Sequence, residues 1–323
     1  MSKKLPLNFI LSFCRDKIPQ KGEDCYCYSF CDSAGLLGVF DGCGGAGARK
    51  HALFSEMSEA YMASRLCAGA FFDIFRHCFP CHQSPQVLAN IAFLPDTKHV
   101  LDTFQPAYEN TGIGIKSSLI RTLPSTVAVA LIQQVPDDRI QISALWAGDS
   151  RVYLLNSTGL AQLSVDDTSV PDPMDNLYKD GRLTNVFCCD RKLQLHCNTI
   201  QAEMPCIVLA ATDGCFGYLS TPMEFEGMLL QTLLEADSPA QWEESLVQRI
   251  GAVAGDDHTM CLAAYGYADF NAIKENLSKR YQHLCENYLS TISAFSLSDY
   301  QSRYALWLQY KPEYMRYLKD GPV

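Results

Sequence analysis

The sequence predicts a mixed α/β protein, on three observations. Short β-prone runs are cut off by turn residues, one long stretch carries a helical apolar period, and the last 57 residues are helix-like and rich in tyrosine. Cys25 to Cys31 and Leu36 to Phe40 are β-prone runs separated by Asp32 to Gly35, a hairpin-like pair. Leu53, Met57, Ala60, Ser64, Cys67, Phe71, Ile74 and Cys78 then recur at alternating spacings of four and three, a helix stopping before Pro80. A weaker helical pattern from Lys98 to Leu123 is interrupted by Pro106, Gly112 and Gly114. The period changes at Ser125. Ser125 to Gln134, Arg139 to Ala147 and Arg151 to Asn156 read as strands, with a turn at Ser157 to Gly159. Ser164 to Asn198 holds six aspartates, two prolines and little periodicity, which predicts a mobile surface segment or lid. Cys206 to Ala211 reads as a buried strand ended by Thr212-Asp213-Gly214. Helices are predicted over Pro222 to Leu234 and Pro239 to Val253, and a final strand over Thr259 to Tyr265. Eight of the 16 tyrosines fall in residues 267–323, which are expected to form a helical extension packing on the main body or on a partner.

Composition narrows the function class. The 323 residues are 48% hydrophobic and 19% charged, enough for one large domain with an appendage and too apolar for wholesale disorder. A net charge of −10 argues against nucleic-acid binding, which needs a basic footprint. Met1 to Ile10 carries no export signal, and no apolar run is long enough to span a membrane. The 15 cysteines, odd in number and scattered, read as reduced thiols of a cytoplasmic protein.

The informative residues are carboxylates. Asp41, Asp149, Asp213 and Asp256 each stand at the end or start of a β-like run, and Glu23-Asp24 precedes the first predicted strand. Strand ends can gather side chains that are far apart in sequence onto one sheet edge. Two carboxylates 4 Å apart repel by about 4 kcal/mol at an effective dielectric near 20. Hard divalent cations such as Mg²⁺ or Mn²⁺ prefer oxygen ligands and would remove that cost. A pair of them can activate water and brace an in-line displacement at phosphorus. Asp-Gly is also a common turn pair, so any one instance is ordinarily structural.

The ordered set goes further. Glu23-Asp24, VFDGCGG (Val39 to Gly45), STVAVAL (Ser125 to Leu131), AGDSRVYLL (Ala147 to Leu155), LAATDGCFGYL (Leu209 to Leu219) and GDDHTM (Gly255 to Met260) together resemble the metal-dependent type 2C serine/threonine protein phosphatases, over about Gly22 to Gly266. The resemblance implies an α+β fold, a four-layer α-β-β-α sandwich with two central antiparallel sheets flanked by helices. It implies a phosphatase domain over 1–266 with a flap near 164–198, and a helical C-terminal extension over 267–323. It also implies two Mg²⁺ or Mn²⁺ ions per site. Asp41 would bridge both metals and the Gly42 carbonyl would contact one of them. Glu23 would hold that metal through water, with Asp24 beside it. Asp213 and Asp256 would hold the other, and Asp149 a weaker third. A metal-bridging water would be the nucleophile, and a phosphorylated protein the substrate.

Two positions depart from the family. Where it often has a histidine that protonates the leaving oxygen, this chain has Cys43, a neutral thiol less suited to the task near neutral pH. Where an arginine usually grips the phosphate, Pro19 stands, leaving Arg15, Lys17 or Lys21 as substitutes. Three readings follow: an active protein phosphatase; a pseudophosphatase that binds partners through the aromatic C-terminal extension; and a phosphatase of small phosphorylated molecules. Other strings carry less. Cys78-Phe79-Pro80-Cys81-His82 matches a haem-attachment string without the export signal such attachment goes with. Gly112 to Ser117 lacks the adjacent Gly-Lys pair of a phosphate loop, and Gly42 to Gly47 lacks the spacing of a dinucleotide fingerprint.

Overall fold

A computed structural model describes residues 4–51, 56–78, 122–170, 172–179, 181–189, 194–296 and 299–318. The Lys98–Leu123 helical pattern, the Cys78–His82 string and the Gly112–Ser117 loop lie wholly or mostly outside these residues.

Two antiparallel five-stranded sheets face each other. The first joins, in spatial order, β1 (Leu7–Arg15), β12 (His258–Tyr265), β11 (Cys206–Ala211), β8 (Arg151–Asn156) and β9 (Gly159–Gln162). The second joins β10 (His196–Glu203), β7 (Arg139–Ala147), β6 (Val127–Val135), β3 (Ala34–Phe40) and β2 (Cys25–Phe30). A two-stranded ribbon of β4 (Lys50–His51) and β5 (Met57–Ser58) leads into helix α1 (Glu59–Cys78).

The central strands carry apolar residues on both faces because both faces are covered. Along β11, Ile207, Leu209 and Ala211 point into a helix-covered core, while Cys206, Val208 and Ala210 point into the core between the sheets. β3 divides likewise: Leu37 and Val39 face the other sheet, and Leu36 and Phe40 pack on Cys67, Phe71 and Phe75 of α1. A period of two with apolar residues on both faces therefore yields four layers, and α1 alone of the described helices covers the second sheet.

Over the first sheet lie α3 (Pro222–Glu235), α4 (Pro239–Gly251), α5 (Phe270–Leu284), a single π turn at Cys285–Leu289, the short α6 (Ser290–Ala294) and α7 (Tyr300–Tyr314). Thr221, Ser238, Asp269 and Asp299 each accept a backbone N–H in the first turn of the helix that follows, and Pro opens both α3 and α4. Trp307, Tyr310 and Tyr314 of α7 are fully buried in the same apolar cluster as Tyr153 and Leu155 of β8. Among the described residues no helix is long and apolar enough to cross a membrane.

Three differences from the sequence reading have physical reasons. β1 and β10 are edge strands with half-exposed, alternating side chains, so neither shows the apolar run that marks the buried strands. β10 also begins at His196, inside the segment read as irregular. Within that segment a short helix, α2 (Asp175–Tyr178), and single bridges pairing Thr168 with Leu183 and Ser125 with Phe187 give local order held by side-chain hydrogen bonds rather than by periodicity.

Candidate functional site

Asp41 follows β3, and its backbone is locked to the adjacent strand: its N–H donates to Thr126 Oγ1 at 3.1 Å, and its carbonyl accepts from Thr126 N at 2.8 Å. Thr126 Oγ1 is in turn 2.6 Å from Ser150 Oγ, next to Asp149 in the β7–β8 turn. That turn passes through Gly148 at φ +102°, a conformation that a side chain would strain, with Thr126 Cγ2 only 2.8 Å from where a Cβ would stand. Asp213 opens a 3₁₀ turn directly after β11. Its neighbour Gly214 is obligatory, since a Cβ there would lie 1.8 Å from the carbonyl oxygen of Asp257.

Asp24, 1% exposed, lies at the start of β2 and accepts a 2.8 Å hydrogen bond from Thr212 Oγ1 across 188 residues. Thr212 also accepts the N–H of Thr259, so one hydroxyl joins β2, β11 and β12. Glu23 receives the hydroxyl of Ser58 and lies against Gly44 of the Asp41 loop; a Cβ on Gly44 would sit 2.1 Å from Glu23 Oε2. Gly42 donates its N–H to the Glu23 carbonyl at 3.3 Å.

The topology thus brings Asp24, Asp41, Asp149, Asp213 and Asp256 within electrostatic reach of one another, and Glu23 within reach of Asp256. Burial, and then the charges of Asp24, Asp213, Asp149 and Asp256, hold the Asp41 carboxyl well above the usual carboxylate range. Asp149 is pushed well up by burial and by the charges of Asp213 and Asp166. Asp24 is raised to about 7 by burial, against the lowering effect of the Thr212 and Thr259 hydroxyls, with Asp213 and Asp257 adding to the rise. Asp213 is raised to about 6 by burial and by Asp256. Glu23 is raised by burial, with Asp257 and Asp256 adding to it. Asp256 itself is exposed. Among the described residues, none of Asp41, Asp149 and Asp213 forms an ion pair.

These residues fit a hard divalent cation in donor chemistry: every side-chain donor is a carboxylate oxygen, and desolvation and mutual repulsion hold the carboxyls of Asp41, Asp149 and Asp213 up, offset only in part by Arg151 at the last two. Spacing is another matter. Among the described residues no group of three or more His, Cys, Asp or Glu side chains is gathered tightly enough to hold an ion as it stands. Coordination would require the side chains to draw in.

Several contributors were invisible in the sequence. Asp257, next to the predicted Asp256, accepts the backbone N–H groups of Lys17 and Glu23, each at 2.7 Å, and so ties the loop before β2 to the start of β12. Arg65 of α1 donates to the carbonyls of Gly22 and Glu23 and stacks 3.4 Å above the Tyr61 ring. Nothing in the local sequence marks Arg65, Thr212 or Ser58; their partners are 35 to 188 residues away. The doubled aspartate of Asp256-Asp257 is the one signal that could have been read. Cys43 is a thiol pushed well up by burial and by Asp41, and its Sγ lies 4.0 Å from the Asp41 carbonyl oxygen. Of the suggested phosphate-gripping cations, Lys17 donates its ammonium to the Ala254 carbonyl at 2.6 Å, and Arg15 donates to the Cys14 carbonyl at 3.1 Å.

No protein-family model matches the sequence, and no curated protein matches it. Solved structures do. The serine/threonine phosphatase Stp1 from Staphylococcus aureus is 17% identical, with a TM-score of 0.59 over 82% of this chain and 98% of its own. The serine/threonine phosphatase PstP/Ppp of Mycobacterium tuberculosis is 18% identical, with a TM-score of 0.55 over 81% of this chain and 100% of its own. The catalytic domain of PstP in complex with two manganese ions is 15% identical, with a TM-score of 0.52 over 80% of this chain and 98% of its own. Identity at this level establishes architecture, and the architecture is the one expected: two antiparallel sheets between helices, the fold of bacterial serine/threonine phosphatases.

Proposed function

We propose that the chain is a metal-dependent type 2C phosphatase that hydrolyses phosphoserine and phosphothreonine in proteins. The observation that carries this reading is the approach of Asp41, Asp149 and Asp213 to one another, each part-buried and without an ion pair among the described residues, in a fold shared with serine/threonine phosphatases. Part-buried carboxylates crowded together repel one another unless a cation joins them. The manganese complex of PstP makes Mn²⁺ a natural choice for a first test, with Mg²⁺ beside it. In this reading residues 1–266 form the catalytic unit and 267–323 an extension.

Each residue then has a task. Asp41, the Gly42 carbonyl, Glu23, Asp24, Asp149, Asp213 and Asp256 would hold the cations, with Glu23, Asp24 and Gly42 on one side of Asp41, Asp213 and Asp256 on the other, and Asp149 serving a weaker third. Bound cations would supply neutralisation of the phosphate charge and a lowered pKa for water at the site. The protein's own work is orientation. Thr126 fixes the backbone of Asp41, Thr212 orients Asp24, Ser58 orients Glu23, and Asp257 holds the Glu23 backbone in place. Cys43 stands beside Asp41 as a neutral thiol that can donate a proton to the leaving oxygen. Residues of 164–198 form the flap beside the site, where peptide preference is set.

The second reading, a catalytically weak binding module, draws on one observation: the Lys17 ammonium is already held by a backbone carbonyl, so it is not free to grip a phosphate. A turnover assay with Mn²⁺ or Mg²⁺ on phosphopeptides and on a small aryl phosphate, comparing wild type with Asp41→Asn and Asp213→Asn, separates the two. Metal-dependent turnover lost in both variants supports the enzyme. No turnover by wild type leaves the binding module, and turnover confined to metabolite phosphates would move the substrate class to small molecules.

A further inference from the structure

Residues 166–170 and 172–178 are held from two sides. On the body side, Asp166 pairs with the buried Arg151 through Nε at 2.9 Å and Nη2 at 2.6 Å, and receives Gln162 Nε2 at 3.0 Å and Asn176 Nδ2 at 2.9 Å. Asp167 accepts the N–H of Gly148, the residue before Asp149, at 3.1 Å. Tyr178 donates to the carbonyl of Ser220, just past the Asp213 turn, at 2.9 Å. This arm therefore runs along the two loops that carry Asp149 and Asp213.

On the other side stands α7. Asp172 accepts Trp307 Nε1 at 3.0 Å and Lys311 Nζ at 2.8 Å, while its Oδ1 also caps the N–H groups of Met174 and Asp175 at 2.9 and 3.1 Å. Tyr300 donates its hydroxyl to Asp175, and its ring meets Tyr178 edge-on at 4.9 Å. Tyr314 accepts from Arg151 Nη1 at 3.3 Å, so the same helix touches the cation that anchors Asp166. Four residues spaced along one helix thus meet the arm or its anchor at four points. Core packing alone would explain the burial of Trp307 and Tyr314; it does not explain why the half-exposed Tyr300 and Lys311 both end on arm carboxylates.

We propose that α7 is a positioning element for substrate, with Tyr300, Trp307, Lys311 and Tyr314 holding residues 166–170 and 172–178 in the conformation that receives the chain flanking a phosphorylated residue. This rests on the phosphatase reading above. A small aryl phosphate needs only the acidic cluster, whereas a phosphopeptide also needs the arm. The C-terminal helix therefore governs peptide recognition without touching the reacting atoms.

The test uses the full-length chain carrying Tyr300→Phe and Lys311→Met together, both at partly exposed positions, with Lys311→Arg as the conservative variant and Asp172→Asn as the partner-side variant. Hydrogen–deuterium exchange should rise in peptides covering 172–178 and stay unchanged in β11 and β12. KM for phosphopeptides should rise about fivefold or more in the double variant and in Asp172→Asn, in keeping with the loss of part-buried charged hydrogen bonds. In both, kcat/KM for the aryl phosphate should stay within about twofold, as expected for an effect confined to binding of the flanking chain. Lys311→Arg should restore most of the loss. Unchanged exchange at 172–178 overturns the brace. Equal losses on both substrates, or exchange spreading through the sheets, would mean a merely structural helix and overturn it too. If the wild-type chain hydrolyses neither substrate with Mn²⁺ or Mg²⁺, the phosphatase reading fails and takes peptide positioning with it, even where exchange at 172–178 still responds.

Discussion

Beneath the C-terminal helices, Glu226 is fully buried and fully answered. Arg280 donates to both its oxygens at 2.7 and 2.8 Å, Leu160 N donates at 3.1 Å, and Tyr310 adds its hydroxyl. At the ends of β3, β7 and β11, Asp41, Asp149 and Asp213 are part-buried, and among the described residues none has an ion pair. An arginine is set directly against Glu226, whereas the arginine nearest Asp149 and Asp213, Arg151, is paired with Asp166 and eases their repulsion only in part. The first arrangement serves the fold. The second costs the fold something and makes sense as a receptor for positive charge brought from outside.

Removing one carboxylate from each region should separate these roles most sharply. Changing an outer-shell partner of a metal ligand typically costs about 10- to 100-fold in affinity or activity. Asp41→Asn and Asp213→Asn, which act on the proposed ligands themselves, should therefore lower metal-dependent turnover by more than about 100-fold. Metal-free, both variants should melt higher than wild type, since each relieves buried like-charge repulsion. Calorimetry together with a phosphatase assay checks both halves. A variant that loses activity and stability together would put Asp41 in the same class as Glu226.

Glu226→Gln is the mirror experiment. It leaves Arg280 buried without its counter-charge, and breaking such a pair typically costs about 3–5 kcal/mol. Urea unfolding should show a loss of that order, while turnover per folded molecule with Mn²⁺ stays close to wild type. A small change would mean that Glu313, which also pairs with Arg280, carries the neutralisation.

The contrast between the regions also marks what the sequence could and could not disclose. Strand ends were legible because β3, β8, β11 and β12 are apolar on both faces, so each aspartate that interrupts them stands out. The edge strands β1 and β10 were not, because exposure on one side dilutes their pattern with Asn8, Ser12, Asn198 and Gln201. Convergence of Asp41, Asp149, Asp213 and Asp256 could be inferred from their shared position at strand ends, whereas the groups that orient them could not. Thr212 reaches Asp24 across 188 residues, and Asp257 reaches Glu23 across 234; such pairs are set by sheet order, which no local period encodes. The same holds for Asp172 and Lys311, 139 residues apart.

Acidity offers a gentler probe. Folded-state carboxyls raised above their unfolded values bind protons that the unfolded chain has released, so the native state is favoured at low pH and loses that advantage as pH rises through the folded pKa. With unfolded aspartate near 4, and Asp213 and Asp24 at about 6 and about 7, the metal-free protein should lose stability progressively from about pH 4 to about pH 7. Millimolar Mn²⁺ should stabilise more at pH 7.5 than at pH 5.5, because binding displaces protons. Thermal melts at the two pH values, with and without Mn²⁺, test it. A metal-free melting temperature that climbs between pH 5 and pH 7 would contradict the raised carboxyls.

The smallest expected effect concerns Cys43. A general acid contributes about 10²- to 10⁴-fold, but desolvation and the neighbouring Asp41 both raise the pKa of this part-buried thiol, making it a reluctant proton donor. Its Sγ is turned toward the Asp41 carbonyl rather than toward an open acidic oxygen. Cys43→Ser should then lower kcat by less than about tenfold on a substrate with a good leaving group, where little protonation is needed. On a phosphoserine peptide, whose alkoxide leaving group needs a proton, the drop should be larger if the thiol supplies it. Comparing the two leaving groups across pH decides whether Cys43 takes part in bond cleavage or only fills the space beside Asp41. Equal small effects on both would assign the proton to solvent, and the acidic cluster would then do its chemistry with carboxylates and cations alone.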